Sequence, residues 1–295
     1  MIDLHTHTTC SDGRAGVGEL LDEAQRIGLS MLSITDHNTI EAYRQLKDPA
    51  LRSRFSGPIL TGVEFTTTYN GEVIEVLGYG FEPEVLQPLM EGRVYPFEEK
   101  QRREYVLIRD RYRQIGVRFD ERGVVYDPTT NSSRHGFQKE IARYPENERF
   151  FLDKEDMTSR KGFTRNEVYN PKSPLYVDES SLFLSLGDTI SMIHEAGGLA
   201  FLAHVHIYTP AIAGDLIRML DDYPLDGLEC FYSAFTPRQI QELTELCTQR
   251  GLYMSGGSDY HGPAKGEDNL MLEKQAKLHM DEQTVLRWAA RGAVR

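Results

Sequence analysis

Short apolar runs bounded by Gly or Asp alternate along this chain with longer stretches whose apolar residues recur every three or four positions. The first pattern is that of a buried strand and the second that of an amphipathic helix. Strands are predicted over residues 2–7, 31–35, 59–66, 73–79, 199–204, 227–231 and 253–257. Helices are predicted over 18–27, 186–196, 213–220 and 237–249, with "GELLDEAQRI" and "LGDTISMIHEA" carrying the helical spacing most plainly. Strands returned by helices pair in parallel, so an α/β repeat with parallel strands is expected.

The rhythm breaks between residues 86 and 178. Charge rises through the helical "FEEKQRREYVLIRDRYRQIG", and a polar, aromatic-rich stretch follows. A segment this long is not a simple loop. Residues 86–178 are therefore read as an inserted, mostly helical subdomain hanging over a barrel made of 1–85 and 179–295. The charges of "RREYVLIRDRYR" are read as a solvated helix face, because no basic excess surrounds them.

Composition then removes whole classes. A chain of 295 residues can build one large barrel or two modest domains. Asp and Glu number 45 against 33 Lys and Arg, and the net charge of −12 speaks against a protein that coats nucleic acid or an anionic membrane. No long nucleic acid is expected as a partner, and an anionic ligand must be drawn by a local site. Cys10, Cys230 and Cys247 are an odd count placed far apart, with no charged-then-apolar leader before them, so a reduced, cytoplasmic protein is expected. No run approaches a membrane span.

Candidate chemistry begins at "MIDLHTHTTCSDG". In a strand His5 and His7 share a face, and two imidazoles on one face can grip one cation; a pair of surface histidines on a terminus has the same spacing. Asp36 and His37 follow "MLSIT", Glu64 lies in "ILTGVEF" and Glu75 in "VIEVLGYG". His204 and His206 close "LAFLAHVH", and Asp259 and His261 follow "YMSGG". Six of the nine histidines thus fall at or just after the ends of apolar runs, where closed βα barrels collect their catalytic groups. Imidazole and carboxylate are ligands of zinc, manganese and iron, and Glu64 could bridge neighbouring ions.

Taken in order, "DLHTHTTCSDG", "ITDHNT", "GVEFTT", "FLAH" and "GSDYH" resemble the motifs of the PHP (polymerase and histidinol phosphatase) domain family. The resemblance implies a distorted seven-stranded βα barrel holding up to three metal ions and hydrolysing phosphate esters. By motif it implies one ion on His5, His7, Glu64 and Asp259, a second shared by Glu64 and His204, and a third on Asp12, His37 and His261. Glu75 stands where the family usually has a histidine ligand of the second ion. As a harder donor it biases that position towards manganese or magnesium and away from zinc. Two to three divalent ions, drawn from manganese, iron, zinc and magnesium, are the expected cofactors. "AHVH" stands where relatives commonly have "AHP". His206 is accordingly read as a spare ligand, a proton donor to the leaving group, or a hydrogen-bonded loop histidine.

Within the inserted segment, "NSSRHGFQKEIARY" sits where some small members of the family carry an "RPH"-like element. That makes Arg134 and His135 candidates for gripping a phosphate, and Arg134 and His206 the candidate catalytic side chains. Lys139 and Arg143 on the same predicted helix either extend that grip or are solubilising charges. Tyr169, Lys172 and Tyr176 in "NEVYNPKSPLYVD" are candidates to contact a base or ring, or are packing residues. Glu229 either supports the metal site or caps the barrel floor. Cys10, His194 and His279 are given no role, and Ser258 is read as a turn residue.

The expected reaction is hydrolysis of a small phosphomonoester, nucleotide-like, such as a nucleoside 3′,5′-bisphosphate, by a hydroxide bridging two ions. Histidinol phosphate, sugar phosphates and short oligonucleotides are the rival substrates. An amidohydrolase-like carbon–nitrogen hydrolase and a non-catalytic metal-binding domain are the rivals from other classes. The "TDH" and "GVE" elements weigh against the first, and the joint presence of the other matched ligands weighs against the second.

Overall fold

The computed structural model of the chain describes residues 1–126, 132–263, 278, 280, 282–289 and 293–294; His279 lies outside them. Among the described residues nine strands are formed: β1 (Ile2–Asp3), β2 (Met31–Ile34), β3 (Ile59–Tyr69), β4 (Glu72–Tyr79), β5 (Leu184–Ser185), β6 (Leu199–Leu202), β7 (Gly227–Tyr232), β8 (Tyr253–Gly257) and β9 (Ala293–Val294). Seven of them follow one another in the order β1-β2-β3-β4-β6-β7-β8, while the two-residue strands β5 and β9 both pair with β3. Beyond β1 the chain stays against the last strand. Leu4 N–H donates to Gly256 O (3.2 Å), Asp259 N–H to His5 O (2.9 Å) and His7 N–H to Tyr260 O (2.8 Å). These bonds draw the two ends of the sheet together into a nearly closed, distorted seven-stranded α/β barrel. The contact is close enough to need a glycine: a Cβ on Gly257 would lie 2.3 Å from His5 N.

The expectation of parallel strands throughout is corrected at β4, which runs antiparallel to both β3 and β6. The cause is local. Asn70 and Gly71 join β3 to β4 with φ of 50° and 81°, the left-handed pair that a two-residue hairpin requires. The reversal puts the early residues of β4 beside the late residues of β3, so Glu75 pairs with Thr66. Glu75 thereby reaches the same end of the barrel as the residues that follow β1, β2, β6 and β8.

Helices Val17–Ile27, Leu186–Glu195 and Pro237–Arg250 stand where expected. The helix expected over 213–220 is instead two pieces, Pro210–Gly214 and Leu216–Asp222, broken at Asp215. The Asp215 carboxylate accepts from the Tyr69 hydroxyl (3.4 Å) and from Asn70 Nδ2 (3.3 Å), which ties the break to the β3–β4 turn. Barrel residues such as Leu32, Val63, Tyr79, Phe201 and Leu228 form one buried apolar cluster with the helix faces. Trp288 of helix Glu282–Ala289 packs its ring 4.6 Å from Phe201.

A second apolar cluster draws on residues between Tyr105 and Val177. Phe137 is at its centre, with Tyr105, Phe119 and Tyr112 rings at 5.1, 5.5 and 5.8 Å. It joins helix Phe97–Ile115 to helix Ser133–Ile141 and to the short turns that follow. The outer face of the first helix carries pairs such as Arg103 Nε to Glu99 (2.7 Å). Among the described residues no helix is long and apolar enough to cross a membrane.

Candidate active site

Glu64, on β3, is the centre of the barrel mouth. Its buried carboxylate meets four imidazoles: His204 Nε2 at 2.9 Å, His5 Nε2 at 3.2 Å, His7 Nε2 at 3.3 Å and His37 Nδ1 at 3.3 Å. Asp259 Oδ1 lies 3.2 Å from His7 Nε2, 3.5 Å from His5 Nε2 and 3.4 Å from His261 Nδ1. Asp12 Oδ1 lies 3.3 Å from His261 Nε2 and 3.8 Å from His37 Nε2. Glu75 completes the ring, 3.4 Å from His204 Nε2 and 3.7 Å from His37 Nδ1. Three overlapping sets of donor atoms lie within 4.8 Å of one another: His7, Asp12, His37 and His261; His5, His7 and Glu64; His37, Glu64 and Glu75. Residues up to 256 positions apart in sequence are thus brought to one place.

The donor set fits divalent cations. Nδ1 of His7 and Nδ1 of His204 are buried without a hydrogen bond, which costs free energy unless another partner is supplied. Burial alone would push the His7 imidazole down, but bonds to Asp259 and Glu64 outweigh it and hold it at about 10. His5 is likewise opposed by burial and raised by Glu64, Glu229 and Asp259. The carboxylates respond in the opposite sense: burial would raise Glu64, and its imidazole neighbours hold it well below the usual carboxylate range. Without a metal, protons supply the positive charge that this cluster needs.

Several groups position the ring. Glu229, on β7, accepts from His5 Nδ1 at 2.8 Å and from the His204 N–H at 2.8 Å. A carboxylate can only accept, so His5 carries its proton on Nδ1 and offers Nε2 to the cluster, the arrangement common to metal-binding histidines. Asp36 does not join the cluster. It accepts from Thr8 N–H (2.7 Å), Thr8 Oγ1 (2.7 Å) and Ser11 Oγ (2.6 Å), pinning the loop that carries Asp12. The Tyr232 hydroxyl donates to Asp259 Oδ2 at 2.8 Å. His204 and Asp259 adopt left-handed backbone, φ 23° and 52°, a conformation that non-glycine residues hold only where surrounding contacts enforce it.

A cavity of about 1040 Å³ opens from Asp12, His37, Glu75 and His261 towards residues between Phe97 and Tyr169. Arg134 and His135 line it, as does Tyr169. Arg134 is buried, with Glu104 Oε2 at 2.6 Å and Glu179 Oε1 at 3.7 Å, and it donates to the Tyr169 hydroxyl while its guanidinium lies 4.7 Å from that ring. Burial and the charge of Arg160 hold His135 below its ordinary value, so it is neutral.

Other candidates fall elsewhere. Lys172 is exposed and Tyr176 donates to Gly71 O at 2.6 Å; neither lines the cavity, because the chain after Tyr169 turns back onto the β3–β4 hairpin. His206 is also outside the cavity. The single turn Val205–Ile207 carries it to Phe235, whose ring it meets edge-on at 5.2 Å, and its Nε2 is buried without a partner. Arg143 pairs with Glu140 at 3.0 Å and Lys139 is exposed. The Cys10 thiol is pushed up by burial, and His194 pairs with Asp226 at 2.7 Å. Ser258 N–H donates to Asp3 Oδ1 at 2.9 Å.

Lys100, Tyr208 and the pair Glu104 and Glu179 were not legible as site residues. Lys100 sits inside "FEEKQRR", where its spacing is that of a solvated face, yet it lines the cavity beside Arg134. Tyr208 accepts from Glu75 N–H at 2.8 Å.

The chain belongs to the PHP domain family, whose profile matches residues 3–159. It is 26% identical over 277 residues to a 3′,5′-nucleoside bisphosphate phosphatase of Chromobacterium violaceum, covering 90% of this chain and 88% of that one. It is 25% identical over 276 residues to a 5′-3′ exoribonuclease of Escherichia coli, covering 88% and 85%. A structure from Bifidobacterium adolescentis, of a protein proposed to be a metal-dependent phosphoesterase, superposes with a TM-score of 0.64 at 22% identity, covering 100% of this chain and 96% of that one. The family profile stops short of His204, Asp259 and His261, which the fold brings back to the motifs it does cover.

Proposed function

We propose that this chain is a divalent-metal-dependent phosphoesterase acting on a small nucleotide-like phosphomonoester, with a nucleoside 3′,5′-bisphosphate as its preferred substrate. The observation that carries this reading is one buried carboxylate, Glu64, within 3.3 Å of four imidazole nitrogens at the head of a cavity whose far wall is cationic. In it, His5, His7, Glu64 and Asp259 hold one ion, Glu64, Glu75 and His204 a second, and Asp12, His37 and His261 a third. When bound, such ions would neutralise phosphoryl charge and acidify a water for attack near neutral pH. Manganese suits the oxygen-rich position beside Glu75. Arg134 grips the phosphoryl oxygens, its fork held in place by Glu104 and Glu179. Neutral His135 hydrogen-bonds the substrate, and the face of Tyr169 flanks it. The inserted segment 86–178 is the substrate-selecting lid of the barrel. Three unbridged cysteines agree with a cytoplasmic setting.

A second reading is removal of nucleotides from short RNA ends, favoured by a cavity larger than a mononucleotide fills. Turnover separates the two. Manganese-loaded protein is expected to contain three ions per chain and to hydrolyse a nucleoside 3′,5′-bisphosphate with kcat/KM at least about tenfold above that for p-nitrophenyl phosphate or a dinucleotide. Equal turnover of all three defeats the preference, and two ions or fewer defeat the third position.

Metal loading is also expected to be proton-linked. Because His7 is held at about 10, binding at pH 7 must expel protons, and affinity must rise as pH rises towards that value. Calorimetric titration of manganese into metal-free protein in two buffers of different ionisation enthalpy measures the release; identical heats in both would contradict it.

A further inference from the structure

Between His204 and the short helix Pro210–Gly214, His206 packs on Phe235 and Tyr208 enters the cavity lining, together with Glu75 and His37. The Tyr208 ring meets the His204 ring edge-on, with centroids 5.5 Å apart, and its hydroxyl oxygen accepts from Glu75 N–H at 2.8 Å. It therefore touches two members of the cluster, one on β4 and one after β6. Its loop is fixed on both sides of it. Ile207 O accepts from Arg165 Nη1 at 2.8 Å and Ile207 N–H donates to His204 O at 2.9 Å. Thr209 Oγ1 donates to Glu72 at 2.6 Å and caps the helix that follows. A dipole that need not move when charge develops beside it is what electrostatic catalysis requires.

A phenol hydroxyl has lone pairs to accept with and one proton to give. At Tyr208 the Glu75 N–H uses the accepting side, and among the described residues no protein acceptor takes the proton. Burial, and then the charges of Glu75 and Glu64, push the phenol well above its ordinary value, so the hydroxyl keeps that proton at neutral pH. Accepting from a backbone N–H also polarises the O–H and strengthens it as a donor. The carboxylates of this cluster repel a phosphoryl oxygen, whereas an unspent neutral donor beside them attracts it.

We propose that Tyr208 is a further catalytic residue of the hydrolysis: its hydroxyl gives a hydrogen bond to a non-bridging oxygen of the phosphoryl group under attack, and that bond tightens as charge gathers there in the transition state. The inference rests on the phosphoesterase reading and deepens it. No bond to hydrogen is broken at Tyr208. The proton stays on the phenol, and the leaving oxygen takes its proton from water.

Tyr208→Phe tests this, because it keeps the ring against His204 and removes only the hydroxyl. In the variant kcat for a nucleoside 3′,5′-bisphosphate is expected to fall about 100-fold while KM moves by less than about threefold, the pattern of a contact made in the transition state. Its manganese content, read by elemental analysis, is expected to equal that of the wild type, which also shows that the barrel mouth has folded. Orthovanadate, whose five-coordinate form resembles a phosphoryl group in transfer, is expected to bind the variant about 100-fold more weakly, whereas inorganic phosphate loses less than about tenfold. Misplacement of Glu75 alone would lower the manganese content and weaken both anions alike. Unchanged kcat, a loss of manganese that accompanies the loss of kcat, or vanadate weakened no more than phosphate overturns the proposal. If wild-type protein turns over no phosphate ester, the phosphoesterase reading fails by itself. Calorimetry of vanadate and phosphate into the manganese-loaded wild type and variant then decides whether Tyr208 donates to a phosphoryl oxygen: a loss in the variant that is larger for vanadate upholds the contact, and equal binding to both proteins overturns it.

Discussion

Glu64→Gln is expected to lower kcat/KM by at least about a thousandfold and to strip the protein of most of its bound metal. The amide has the size of the carboxylate but neither its charge nor its second acceptor oxygen. At this position both oxygens are used: Oε1 faces His204 at 2.9 Å, and Oε2 faces His5, His7 and His37 at 3.2 to 3.3 Å. Neither neighbouring carboxylate replaces that set: Asp259 faces His5, His7 and His261, and Glu75 faces His204 and His37. Glu75→Gln removes a charge from the edge of the ring instead of its centre, and a smaller loss is expected there. Elemental analysis beside steady-state kinetics checks both. A Glu64→Gln protein that keeps its full metal complement and activity would remove Glu64 from the centre of the reaction.

Arg134→Ala is expected to cost about 3–5 kcal/mol of stability as well as activity, because it leaves two buried carboxylates without their cation. Glu104 and Glu179 are both fully enclosed. Burial already pushes Glu179 from 4.5 up to about 7, with Arg134 opposing the rise and Glu104 adding to it. A carboxyl whose folded value is raised contributes most below its unfolded value, and that contribution is lost as pH climbs through the folded one. In the wild type the loss falls between about 4.5 and about 7. In Arg134→Ala it extends further up, so the variant is nearest to wild type near pH 5 and furthest above pH 7. Urea unfolding at pH 5 and pH 8 reads the difference; an equal deficit at both would mean that lost packing on Tyr169, and not charge, sets the cost. Arg134→Lys restores the charge, so it is expected to recover part of the stability while leaving kcat/KM low, since the ammonium lacks the fork.

The ends of apolar runs mark most of the imidazoles and carboxylates that gather at the barrel mouth. His5, His7, His37, Glu64, His204, Asp259 and His261 were each marked by a short strand, a local property that neighbours in sequence decide. Glu75 shows how a local signal can be present and passed over. Its strand runs backwards, and the Asn70–Gly71 dipeptide announces as much. Arg134 was legible as a cation near a helix start, but its two carboxylate partners, 30 and 45 residues away, were not. His206 and Tyr176 have the right chemistry in the right neighbourhood, and a single turn and a return loop take them out of the cavity.

By itself, then, the order of residues determined the α/β barrel, most of the imidazoles and carboxylates that gather at its mouth, and the family to which the chain belongs, because strand periodicity and motif spacing are short-range. Only the tertiary structure decided which cations between residues 97 and 169 face the cavity, and which carboxylates hold Arg134. A side chain's direction within a fold is set by packing against residues remote in sequence, and no local pattern records those neighbours.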